Sequence, residues 1–155
     1  MPRTVEFRRD DRVDMVGRLR SLAEDWSGWV IFDPQVEADD LMEAPATGGL
    51  FSGRGPAVPE LSWVPEPATR RRARRLSVGL RHPTGPKTAD RLAAAGHAVP
   101  DDWTVVDDSP KRGLVVRVPL DVDQGVLLEW LLGAAERCTA VPLTGNWRAT
   151  IHRYL

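Results

Sequence analysis

The feature that most constrains this chain is one order of elements found at both of its ends. From Thr4 to Arg8 apolar and polar residues alternate, with Val5 and Phe7 on one side, the period of a half-buried strand. Asp10 and Asp11 follow as candidate helix caps. Val13, Met15, Val16, Leu19, Leu22, Ala23 and Trp26 then recur mostly at steps of three and four. That spacing predicts an amphipathic helix over 13–26, ended at Ser27-Gly28. Trp29–Phe32 is a compact apolar run, read as a buried strand. Toward the other end, Leu114–Val118 reads as a strand closed by Pro119, which has no N–H to give a ladder. Asp121 or Asp123 can cap the next helix, 126–138, which is apolar on nearly every side and therefore central. Trp147–Arg153 alternates again. The order at each end is strand, aspartate-rich turn, helix, tryptophan-led strand, a β-α-β unit.

Two such units predict an α+β fold with a mainly antiparallel sheet. Their order resembles that of ferredoxin-like folds, which are built from two β-α-β units. No residue-by-residue repeat accompanies the repeated order. Between the units, residues 34–69 carry Gly48, Gly49, Gly53 and Gly55 with Pro45, Pro56, Pro59, Pro65 and Pro67. They read as a long Pro/Gly-rich loop or embellishment, with a short strand at 61–64, inside a single domain spanning 1–155. Leu76, Val78 and Leu80 alternate with Ser77, Gly79 and Arg81 as a strand. Residues 88–95 read as a short helix ended by Gly96, 103–106 as a strand, and 107–113 as a polar turn.

Composition narrows the class. At 155 residues, 42% hydrophobic and 28% charged, the chain can bury a core without staples. Six tryptophans suit core anchoring, with one or two left for a surface. Cys138 has no partner for an internal disulfide, no apolar leader follows Met1, and the longest apolar stretch, 125–135, contains Glu129. A reducing cytoplasm and no membrane partner are the expectation. Nineteen of the 21 basic residues are arginine, the skew that codon bias in a GC-rich bacterial genome gives. Net charge is −1, yet residues 33–66 hold seven acids against Arg54, and residues 70–91 hold eight bases against Asp90. Such asymmetry marks a partner surface, or two segments that neutralise each other.

The basic segment is the best candidate site. Arg70, Arg71, Arg72, Arg74 and Arg75 fall within six residues, with Arg81 and Lys87 following. Guanidinium forks hold phosphates bidentately, and charged strand edges also simply prevent edge pairing. Farther on, Pro83-Thr-Gly-Pro-Lys-Thr-Ala-Asp-Arg-Leu92 resembles the second half of a helix-hairpin-helix element, through Gly85, Lys87, Ala89 and Leu92. The resemblance implies hairpin N–H groups on DNA phosphates. The chain departs from it at Pro83, where the first hairpin glycine belongs, and at Leu76–Arg81, which reads as a strand. The alternative is a Gly85-Pro86 turn with Pro86 at or near the first position of a packed helix.

No pattern predicts catalysis, a cofactor or a metal. Gly48–Gly55 lacks the Lys-Ser/Thr of a phosphate loop, and no serine sits in a Gly-x-Ser-x-Gly elbow. His82, His97 and His152 are not paired in sequence. Asp39, Asp40 and Glu43 read as a solvated helix start, Asp101-Asp102 and Asp107-Asp108 as turn residues, and Cys138 as a packed thiol. The leading expectation is therefore a non-catalytic binding or regulatory module acting through protein contacts, a second copy included. The alternatives are nucleic-acid binding through Arg70–Arg75 and a small enzyme whose site lies between the sheet and the 40–60 segment.

Overall fold

The computed structural model describes residues 1–43 and 55–154. Seven strands form one sheet: β1 (Arg3–Arg8), β2 (Gly28–Pro34), β3 (Glu60–Glu66), β4 (Arg75–Arg81), β5 (Thr104–Ser109), β6 (Gly113–Val118) and β7 (Asn146–Arg153). Their order is β1-β7-β2-β3-β4-β6-β5, and every neighbouring pair is antiparallel. Helices α1 (Val13–Asp25), α2 (Ala38–Glu43), α3 (Thr88–Ala94) and α4 (Gln124–Arg137) complete the described elements. The α+β class and the antiparallel sheet agree with the sequence pattern.

The strand order does not confirm the ferredoxin-like expectation. In the first unit β7 lies between β1 and β2, so β1-α1-β2 is a split β-α-β. In the second, β6 and β7 are parallel but β4, β3 and β2 lie between them. The β3–β4 hairpin supplies two of these three strands, and β2 still separates β6 from β7 without it. Part of the segment read as loop is thus structured: β2 runs through Pro34, α2 follows, and β3 occupies 60–66. The glycine-rich stretch from Gly48 to Arg54 lies outside the described residues.

Alternation explains which face is buried. Leu76, Val78 and Leu80 of β4, Leu114, Val116 and Val118 of β6, and Trp147, Ala149 and Ile151 of β7 all point to one side and are buried. Met15, Leu19 and Leu22 of α1, with Leu127, Leu128 and Leu131 of α4, close over them. Trp63, in the middle of β3, is fully buried, and its Nε1–H donates to Gln124 Oε1 at 3.0 Å. That bond satisfies the indole at the base of α4. No helix among the described residues is long and apolar enough to cross a membrane.

Element ends differ from expectation in four places. Arg12, not Asp10 or Asp11, is the N-cap of α1, and no side chain caps it. Asp123 does cap α4, its Oδ1 accepting from Val126 N–H at 3.0 Å. Helix α1 ends one residue early because Trp26 adopts a left-handed backbone (φ 53°), its N–H bonded to Leu22 O at 2.9 Å. Pro86 precedes the N-cap residue Lys87 rather than opening α3. Finally, β5 extends through Ser109, so Asp107 and Asp108 lie in a strand, and the turn to β6 closes on Gly113. Only glycine fits there: φ is 77°, and a Cβ would collide with the Leu80 carbonyl.

Candidate functional site

The two faces of the sheet are unequal. Helices α1 and α4 cover one, and α3 joins them on that side through Trp130 of α4. His97, just after α3, stacks on Trp130 at 5.4 Å, and Trp103 meets the same ring edge-on at 5.3 Å. On the other face, Ile31, Ser62, Val64, Ser77, Val115 and Thr150 are all partly exposed, and none is buried by a described element. At one corner Trp29 stacks on His152 and meets Tyr154, with both centroid distances 4.9 Å. Tyr154 O–H donates to Pro65 O at 2.9 Å, which ties this corner to the end of β3.

Charges on this face are paired across strands. Arg148 reaches Glu6 at 3.2 Å, Arg81 reaches Glu60 at 3.8 Å, and Arg75 bonds Glu66. Each pair sits in register on neighbouring strands. Asp33, beside Arg148, is pushed above the ordinary carboxylate range by burial. Arg117 of β6 is different. Its buried Nε has no hydrogen-bond partner, and it enters none of the ion pairs among the described residues.

The predicted contact residues divide into two groups. Arg70, Arg71, Arg72 and Arg74 are exposed in the β3–β4 connection. Thr69 Oγ1 accepts from the Arg71 and Arg72 N–H groups at 3.3 and 3.1 Å, which fixes a tight turn. The Arg74 guanidinium lies 5.3 Å from the centre of the Trp26 ring. Arg75 opens β4 and Arg81 ends it, so they stand at opposite edges of the sheet, about 20 Å apart along the strand. Lys87 follows on the Arg81 side. The structure gathers Arg70–Arg75 at one end and leaves Arg81 and Lys87 at the other.

The Pro83–Leu92 segment is not a helix-hairpin-helix element, because strand β4 precedes its turn. The turn is also already occupied by an anion. Asp108 of β5 accepts from Thr88 N–H at 3.0 Å and from Ala89 N–H at 2.9 Å. The first two N–H groups of α3, just after the Gly85–Lys87 turn, are thus spent on this carboxylate. His82, 1% exposed, completes the structure. Its Nδ1 accepts from Thr84 N–H at 3.2 Å, so Nε2 carries the proton in the neutral ring and donates to Thr88 Oγ1 at 2.9 Å. Burial, helped by the Arg91 charge, holds the His82 pKa below its ordinary value.

The remaining candidates also have structural duties. His97 Nε2–H donates to Trp130 O at 2.7 Å, and the ring packs against Gly133, where a Cβ would intrude. His82, His97 and His152 thus have separate partners and do not converge. Burial raises the Cys138 thiol above its ordinary range, so it stays protonated and unreactive. No cluster of three or more His, Cys, Asp or Glu that could hold a metal occurs among the described residues.

Sequence reasoning missed two features. One is Arg117, whose only signal was a lone charge between valines at an outward strand position. The other is a charge network that anchors the β1–α1 connection to α4. Arg9 grips Glu129 with two bonds of 2.7 and 2.8 Å and reaches Glu136 at 3.0 Å. Arg12 meets Glu129 at 2.9 Å. The Arg9 hydrogen bonds hold Glu129 below the usual carboxylate range.

No family model matches the chain, and neither the curated proteins nor the solved structures give a match.

Proposed function

We propose that this protein is a non-catalytic binding module that docks a protein partner on the face of its sheet that no described element covers, the partner being a second copy of the chain. The observation that carries this reading is the inequality of the two faces. Small and apolar residues (Ile31, Ser62, Val64, Ser77, Val115) form the centre of the open face, and cross-strand ion pairs stand toward its ends. Both charge signs occur at both ends, which suits a two-fold contact in which each patch meets its own copy. Seven strands about 4.8 Å apart and about 20 Å long give a face of roughly 600 Å². A standard interface takes about 800 Å² from each partner, so the face and its rim suffice. His82, His97, Cys138 and Asp108 are engaged in internal bonds or buried, which favours binding over catalysis.

Sedimentation velocity over a wide range of protein concentration tests this directly. Concentration-dependent conversion to a dimer is expected; a monomer at every concentration contradicts it.

A second reading rests on a different observation. Arg70, Arg71 and Arg72 are exposed and enter no ion pair among the described residues, an arrangement suited to nucleic-acid phosphates. Polarisation titrations with labelled duplex and single-stranded DNA and RNA at about 50 and 200 mM salt test it. Binding that falls steeply with salt favours it, and no binding at either salt removes it.

A further inference from the structure

Among the described residues, one arginine of the open face has no carboxylate partner. Arg8, Arg75, Arg81 and Arg148 each have a carboxylate within 4 Å, supplied by Asp10, Glu66, Glu60 and Glu6. Arg117 has none among the described residues, and its Nε–H is buried without an acceptor. A partly buried guanidinium in this state costs free energy unless an acceptor arrives.

Arg117 lines a groove of about 220 Å³ on this face. Register sets Arg117 beside Ser77 of β4 and Thr104 of β5, and sets Gly79 between Ser62 and Val115. Gly79 leaves the floor of the groove open: a side chain there would collide with the Ser62 hydroxyl. Val64, Val106 and Val115 form apolar walls, and Ser62 and Ser77 contribute hydroxyl groups. The volume is below the 300 Å³ or so at which ligand pockets usually begin, and fits a single side chain better than a cofactor.

Charge selects the occupant. Arg75 also lines the groove, but Glu66 neutralises it and brings a negative charge to the rim. One unpaired guanidinium beside one carboxylate suits a monoanion. A phosphate, nearer two negative charges, meets repulsion from Glu66. A carboxylate on a short aliphatic stem satisfies both the guanidinium fork and the valine walls.

We propose that the Arg117 groove is a carboxylate subsite within the docking face, filled by a glutamate or aspartate side chain of the docked protein. This inference rests on the reading of the open face as the binding surface. The resulting pair would be a buried, charge-assisted contact near the centre of an interface, where single residues dominate affinity.

The Arg117 Nε–H resonance in ¹⁵N NMR spectra reports the site, assigned by its disappearance in Arg117→Gln. The titration is run at a protein concentration where sedimentation finds monomer, and at constant ionic strength. The probes are N-acetyl-glutamate amide, N-acetyl-glutamine amide, acetate and inorganic phosphate. A saturable shift of Arg117 Nε–H and of the Ser77 and Gly79 amides is expected with the glutamate probe. The glutamine probe should bind at least about tenfold more weakly, the loss expected for one charge-assisted bond. Arg117→Gln, folded by circular dichroism, should lose the amide shifts. Glu66→Gln should tighten binding, because it frees Arg75. Equal response to the glutamate and glutamine probes, or none, overturns the subsite. A stronger response to phosphate overturns the carboxylate assignment, and an equally strong response to acetate overturns the side-chain source. The docking reading fails separately: a chain that stays monomeric yet shows the glutamate-specific shift would keep the anion site and lose the self-association.

Discussion

The two faces of this sheet come from alternate residues of the same strands, yet they obey different rules. In β4, Leu76, Val78 and Leu80 are buried under the helices, while Arg75, Ser77, Gly79 and Arg81 face outward. The covered face is held by volume and shape, with two polar groups, Trp63 and Gln124, bonded to each other. The open face is held by register: three ion pairs cross between its strands, and small residues occupy its centre. The lesson is that the residues that build the core and those free to meet a partner alternate along the same strands. Substitutions on one face should unfold the protein, and those on the other should change only what it binds.

The largest expected effect is Trp63→Ala, which should cost about 3–5 kcal/mol by removing a fully buried ring from the centre of the covered face. Ser62→Ala, one residue away on the open face, should stay within about 0.5 kcal/mol. Urea denaturation of the two variants measures the contrast; equal losses would break it. Next comes Gln124→Leu, which leaves the Trp63 N–H buried without an acceptor. A loss of about 1–3 kcal/mol is expected in the same assay, and recovery in Trp63→Phe/Gln124→Leu would sharpen the assignment.

Smaller still is a pH effect at the α3 turn. His82 is buried neutral among Thr84, Thr88, Arg91, Asp108 and Cys138, with its folded pKa below the ordinary 6.5. Its contribution is therefore full above pH 6.5. It is lost as pH falls below that value, because the unfolded chain takes up the proton first. Stability should decline as pH falls below 6.5, by up to about 1.4 kcal/mol per pH unit. His82→Gln should flatten that slope, as denaturation at several pH values would reveal; an unchanged slope would assign the effect elsewhere. The smallest expected effect on stability is that of reversing Arg70, Arg71 and Arg72 to Glu, within about 0.5 kcal/mol, since all three side chains are exposed. The same variant removes any salt-sensitive binding to polyanions.

Much of the covered face was legible in the sequence, because periodicity reports burial. The alternation at Val5 and Phe7, at Leu76–Leu80 and at Trp147–Ile151, and the apolar length of α4, all follow from it. Periodicity carries no information on strand neighbours. Nothing in Trp147–Arg153 marks β7 as the strand between β1 and β2, and Trp63 gave no hint that a proline-flanked segment holds the middle of the sheet. The candidate site was less legible for a related reason. Arg70–Arg75 stood out by density, whereas Arg117 matters by what surrounds it, and a pairing that is missing in space has no trace in a linear sequence. Asp108 is the reverse case: read as a turn residue, it answers the Thr88 and Ala89 N–H groups that follow the Gly85–Lys87 turn.

The most direct test of the central claim is sedimentation velocity on wild type beside two folded variants, Val64→Asp/Val115→Asp on the open face and Leu41→Asp on exposed α2. A concentration-dependent dimer that survives Leu41→Asp and is abolished by the paired open-face change is the predicted result. A monomer in all three, or a dimer indifferent to the open-face change, would contradict the account.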